Sequence, residues 1–153
     1  MAGPNNPLLY YQAVDLRKRG PGTLIWKSGR LTWTGSVQPT ALSEEYLLRV
    51  TWDGRRPRIH VLRPGLENAD DTGHTFPDGT LCLHYNGEWS PGTLISGSIL
   101  PWASEWLYFY ELWLATGEWL GGGHEAPKTD AAPALADDPI YLAKRRNGSH
   151  GRR

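Results

Sequence analysis

The sequence holds one cysteine, one methionine and two phenylalanines in 153 residues, and its sixteen Lys and Arg are balanced by sixteen Asp and Glu. Each shortage excludes something. A lone cysteine makes no internal disulfide, and with no second cysteine and no close ligand pair the five histidines do not read as a zinc site. A net charge of zero argues against nucleic-acid binding, which draws its affinity from Lys and Arg on phosphates. The basic excess is local, mostly Lys144, Arg145, Arg146, Arg152 and Arg153. No apolar run approaches the roughly 20 residues of a membrane-crossing helix, because the richest, residues 102–120, is broken by Glu105, Glu111 and Glu118. Residues 1–12 have neither a charged start nor an apolar stretch, so no leader is expected. The expectation is one domain in the cytoplasm, with neither membrane nor nucleic acid among its partners.

What is abundant is tryptophan and tyrosine, eight and seven respectively. Such side chains carry a polar atom into a core or present a flat contact surface. Residues 8–19 carry Leu8, Leu9, Tyr11, Ala13 and Leu16 and end in Arg17, Lys18 and Arg19, which suits a helix closed by Gly20. Four strand-like segments follow at residues 23–27, 30–34, 45–53 and 56–62, with hairpin signals at Ser28-Gly29 and Asp53-Gly54. Leu31, Trp33 and Gly35 alternate at period two, and Ile59 and Val61 share a face with Pro57. Residues 64–77 have no period and form a loop of about a dozen residues, a length that is functional or disordered in most domains. A helix starts at Ser98 or Pro101 and stops at Gly117 or at Gly121-Gly122-Gly123. Its stripe of Trp102, Trp106, Phe109 and Trp113 reads as core packing. The fold class is therefore α+β: an N-terminal helix, a four-stranded antiparallel meander, a loop and a central helix, in a domain spanning 1–123. Residues 124–153 form a loosely ordered tail with a short helix near 139–146.

The segment with chemistry in it lies at residues 78–85. Strand alternation puts Leu81, Leu83 and Tyr85 on one face and Thr80, Cys82 and His84 on the other. If the leucines face the core, Cys82 points outward. A thiol near histidines and turn amides can act as a nucleophile, whereas a lone cysteine can equally be a small buried hydrophobe. His74 can be a partner of that thiol or a solvated loop residue, His84 a neighbour or merely exposed, and His60 is structural. Gly121-Gly122-Gly123 lacks the Lys and Ser or Thr of a phosphate-binding loop, so the chain has no visible means of adenylating a carboxylate.

Phe76-Pro77-Asp78-Gly79-Thr80-Leu81-Cys82-Leu83, followed by Trp89-Ser90-Pro91 and Leu94-Ile95, resembles the active-site segment of ubiquitin-conjugating enzymes. The order of helix, meander, long cysteine-bearing loop and central helix resembles that family over roughly residues 8 to 120. His74 stands where eukaryotic members place the asparagine of a His-Pro-Asn triplet. The gap from Cys82 to Trp89 is one residue shorter than usual, and the two C-terminal helices have no counterpart after Gly123. In these departures the sequence resembles the bacterial branch found in CBASS antiphage operons.

The resemblance implies a conjugating enzyme. Cys82 would carry a protein's C-terminal carboxyl as a thioester and pass it to a lysine, with His74 as oxyanion donor or proton handler. The backbone amides around Cys82 are alternative donors, and Trp89, Ser90 and Pro91 brace the loop. The partner implied is the operon's CD-NTase nucleotidyltransferase as donor, with the need for a separate activating enzyme left open; no cofactor and no metal is called for. The alternatives are a non-catalytic protein-binding domain on the same fold and, from the tryptophan count alone, an aromatic-surface ligand binder.

Overall fold

Proline has no amide hydrogen to give, so Pro7 fits only the opening turn of a helix, and Asn6 before it accepts a hydrogen bond from the Leu8 N–H at 3.0 Å. These two residues start α1 (Pro7–Lys18) in the computed structural model, which describes residues 6–19, 21–84 and 87–122. The inward stripe is Leu9, Gln12, Ala13 and Leu16, at steps of three and four. Leu8 and Tyr11, expected with the apolar set, fall beside that stripe and are exposed.

Four antiparallel strands follow in sequence order: β1 (Gly22–Lys27), β2 (Arg30–Val37), β3 (Tyr46–Trp52) and β4 (Arg58–Arg63). Ser28 and Gly29 both have positive φ, 52° and 71°, as a two-residue hairpin turn with the twist of its flanking strands requires. β2 runs three residues past its expected end because its pairing with β3 continues to Val37 opposite Tyr46. β4 begins two residues late, after Pro57, which cannot donate to a ladder. Leu31, Trp33, Tyr46, Leu48, Val50, Trp52 and Ile59 line the buried face of the sheet, and Arg49, Arg58 and Ile25 lie on the other.

α2 (Ile99–Thr116) begins ahead of Pro101, which still falls in its first turn, and ends at Gly117, whose φ of 76° and N–H to the Trp113 carbonyl at 2.8 Å close it. It sends Ile99, Leu100, Ala103, Trp106, Leu107 and Tyr110 into the core. Of the stripe expected to pack the core, Trp106 is buried within it, Trp102 and Trp113 pack half-buried against it, and Phe109 is half-buried. The apolar arc is wider than one stripe, and the other three sit half-buried on its edge. Among the described residues no helix is long and apolar enough to cross a membrane.

Side-chain tethers fasten α2 to the sheet and to the loop. Tyr46 donates its hydroxyl to Glu111 at 3.0 Å, and burial together with that carboxylate holds its phenol well above the ordinary range. The Tyr110 hydroxyl accepts from the Glu67 N–H at 2.7 Å and donates to the Glu67 carbonyl at 3.0 Å. Residues 64–77, expected to lack regular structure, contain a 3-10 turn over Ala69–Thr72. Tyr85, the expected domain boundary at 123, the 124–153 tail and the helix near 139–146 lie outside the described residues.

Gly22 and Gly35 are register partners, and the Trp33 indole lies over both: a Cβ on Gly22 would stand 2.6 Å from Nε1, and one on Gly35 would run into the ring. Gly35→Ala therefore forces Trp33 out of its place in the core and should cost about 1–3 kcal/mol, read as a lowered urea midpoint. Gly92→Ala, whose Cβ meets nothing within 4 Å, is the control and should leave the midpoint within about 0.5 kcal/mol.

Candidate active site

The segment around Cys82 is built by turns. The Phe76 N–H donates to the Thr80 carbonyl at 2.8 Å and the Gly79 N–H to the Phe76 carbonyl at 2.9 Å, with Gly79 at φ 80°. Asp78 Oδ1 accepts from the Thr80 hydroxyl at 2.6 Å and the Thr80 N–H at 3.0 Å. Burial pushes the Asp78 carboxyl up, but these two bonds and the charges of His60 and Arg58 outweigh it and bring it below the ordinary value. The next two amides turn to opposite sides: Leu81 donates to the Ile59 carbonyl at 3.0 Å and Cys82 to the His74 carbonyl at 2.9 Å.

This corrects the alternation expected of a strand. The segment makes one isolated bridge, Thr75 to Leu81, and Thr80, Leu81 and Cys82 are buried in succession at 1, 3 and 6 % exposure. Cys82 does not point out to solvent. Without a ladder on both sides, nothing enforces a two-residue period. Cys82 instead packs with Phe76 in a small apolar cluster of its own and lines a cavity of about 360 Å³.

That cavity brings His74 to Cys82, as well as residues the sequence did not single out. His74 is buried rather than solvated, and its ring stacks on Trp119 with centroids 4.4 Å apart and planes 21° apart. Its carbonyl, besides taking the Cys82 N–H, accepts the Trp106 indole N–H at 3.1 Å. Trp102, Trp106 and Phe109 of α2 form one wall, Trp119 and Gly122 close another, and Glu88 and Glu105 add two carboxylates. The helical stripe expected only to pack the core is thus also a wall of the cavity. The spacing of Trp102, Glu105, Trp106 and Phe109 puts Glu105 on that wall; Trp119, beyond the helix stop, had no comparable signal.

His84 goes elsewhere: it lines a shallow hollow with Arg56, Phe76 and Leu81, its ring 5.5 Å from that of Trp102. Trp89 is buried edge-on against Trp52, centroids 5.8 Å apart, while the exposed Ser90 has its hydroxyl 3.3 Å from that of Thr93. Two of the backbone amides considered as oxyanion donors, those of Leu81 and Cys82, are committed to carbonyls. Among the described residues no three of His, Cys, Asp and Glu come together as metal ligands.

The residue most conspicuously missed is Gln12. Its side-chain NH₂ donates to the carbonyls of Pro91 and Thr93 at 3.1 and 2.7 Å, and its oxygen accepts from the Ile95 N–H at 2.9 Å. It is wholly buried. A polar side chain three residues after Leu9 and four before Leu16, on the inward stripe of α1, was the available signal.

The family model described as type II CBASS E2 protein matches residues 12–127, a span that starts at Gln12 and takes in the four strands, the Cys82 segment and α2. No curated protein matches the chain.

Gln12→Leu strands three peptide groups, and at roughly 1–3 kcal/mol for each buried group left unpaired it should lower stability by about 2 kcal/mol or more in urea unfolding. Asp78 supplies a pH dependence. A carboxyl whose folded value lies below its unfolded one, about 3.9, stabilises above that value and loses the contribution as pH falls through the folded value. The stability gap between wild type and Asp78→Ala should therefore be flat from about pH 7 to 5 and narrow below about pH 4. A gap that widens in acid would contradict this.

Proposed function

The chain belongs to the type II CBASS E2 family, and on that premise we propose that Cys82 is its acyl-carrying nucleophile. Its thiolate takes the acyl group of a donor protein's activated C-terminal carboxyl as a thioester, displacing the activating group, and yields it to a primary amine, most often a lysine. The observation that carries the reading is that the single cysteine of the sequence lines the same cavity as a buried histidine. A thioester keeps the acyl carbon reactive toward nitrogen without a phosphate. In the transfer the amine nitrogen bonds to that carbon, the C–S bond breaks, and the sulfur leaves as the Cys82 thiolate, which takes up the proton the nitrogen gives up.

Attack on the acyl carbon throws negative charge onto its oxygen, and a donor aimed at that oxygen is the largest single aid to such a step. The His74 ring fills this role in our reading. The stacking on Trp119 and the two bonds to its own carbonyl help to position it. Trp89, Ser90 and Pro91 are supports of the loop, through Trp52, Thr93 and Gln12. The donor is the CD-NTase of the same operon, activated by a separate enzyme and modified in the cytoplasm.

The burial of Cys82 favours one other reading, a partner-holding domain without chemistry. Intact masses of wild type and Cys82→Ala, captured from cells carrying the native neighbours, separate the two. The proposal expects a heavier wild-type species that a thiol reductant removes and that Cys82→Ala lacks. A wild type without any adduct, including during phage challenge, would leave the binding reading. His74→Ala should still load and should discharge to amine about 10²–10³-fold more slowly, measured in a single turnover.

A further inference from the structure

Resting on His74 as the oxyanion donor, we propose that Trp119 is its positioning residue, and that the indole holds the His74 ring in place and in its protonated form. The segment that carries Trp119 turns back sharply after α2. Gly117 takes the left-handed conformation, and the Thr116 hydroxyl donates to the Leu112 carbonyl at 2.8 Å while accepting the Glu118 N–H at 3.2 Å. Gly121 then lies so close to Phe109 that an added Cβ would stand 2.8 Å from its ring and 3.0 Å from the Trp119 indole nitrogen. This close return seats Trp119 flat on His74, against Trp106 and Phe109 at centroid distances of 5.4 and 6.2 Å.

An imidazole stacked on an indole at 4.4 Å and 21° can carry either charge state, but the negative face of the indole favours the cation. The charges around the ring act in the same direction. Glu105 on α2 and Glu88 line its cavity with the Cys82 thiol, and among the described residues no Lys or Arg lines it. The 3-10 turn contributes Asp70, held by the Thr75 hydroxyl at 2.9 Å, and the return contributes Glu118, while the Arg56 guanidinium lies over Phe76 in the neighbouring hollow. Burial works the other way, because a ring only 8 % exposed loses hydration when charged. The indole and the carboxylates offset that cost. An imidazolium N–H then gives the acyl oxygen a charge-assisted bond, roughly twice as strong as one from neutral imidazole. The proton stays on His74 throughout the transfer, so no bond is made or broken at its ring.

The test uses the full chain with Trp119→Leu, which keeps an apolar side chain without a ring, and Trp119→Phe, which keeps a smaller ring. Proton NMR of the His74 Hε1, assigned with His74→Gln, reads the stack directly. In wild type the indole ring current should hold this resonance upfield. Its titration midpoint should move toward acid by about one pH unit in Trp119→Leu. Trp119→Phe should move it by less than half as far, and decides the direction if Trp119→Leu unfolds. With the Cys82 adduct isolated from cells carrying the operon, the alkaline limb of the pH–rate profile for discharge to hydroxylamine should move by the same amount. Above both midpoints discharge should then be about tenfold slower. A residue that only braced the fold would slow discharge equally at every pH. An unmoved midpoint, or one moved toward base, overturns the proposal while leaving His74 as donor. An adduct whose discharge ignores His74→Gln removes His74 from the reaction, and with it the reading on which the proposal rests. If no adduct forms, Cys82 fails as acyl carrier, and the NMR midpoint still decides what the indole does to the ring.

Discussion

One main-chain carbonyl holds the centre of this structure together. The oxygen of His74 accepts the amide hydrogen of Cys82 and the indole hydrogen of Trp106, using both of its lone pairs. The first bond fixes the backbone on which the thiol sits. The second fastens the loop before it to α2, whose next turns wall the cavity. Both bonds are made by the backbone of residue 74, while its ring lines the cavity and stacks on Trp119.

The cysteine segment has almost no regular structure of its own, and the rest of the fold compensates by pinning it at separate points. Ile59 on β4 takes the Leu81 amide, Tyr110 on α2 clasps Glu67 through both its N–H and its carbonyl, and Gln12 on α1 holds the chain at Pro91, Thr93 and Ile95. Every element that packs on the sheet therefore contributes a polar anchor to the same loop. A buried polar group that is satisfied costs little, and one that loses its partner costs a few kcal/mol. The anchors thus hold the described parts of the loop against three different elements, β4, α1 and α2.

The parts legible in the sequence were those governed by local rules. Period-two alternation and the Ser28-Gly29 turn located the meander to within a few residues, and Gly117 was one of two stops named for α2. The order of residues from Phe76 to Ile95 pointed to the family, which the match over residues 12–127 establishes. What escaped was set by partners far along the chain. Cys82 was expected outward because its neighbours alternate, yet its direction is fixed by His74 and Ile59, bonds that no local pattern encodes. Gln12 drew no reading from the sequence, although it sits on the buried stripe of α1. Trp119 lies past the helix stop and reaches His74 only because the chain turns back at Gly117.

The charge of the cavity bears on the order in which a transfer would run. A thiolate at Cys82 shares its space with the carboxylates of Glu88 and Glu105, and like charges in a partly dry cavity repel more strongly than they do in water. Forming the thioester removes that negative charge from sulfur while leaving the carboxylates in place. On the thioester reading, loading therefore relieves a like-charge repulsion that the empty cavity carries, and that relief favours the acylated state of Cys82 over its thiolate.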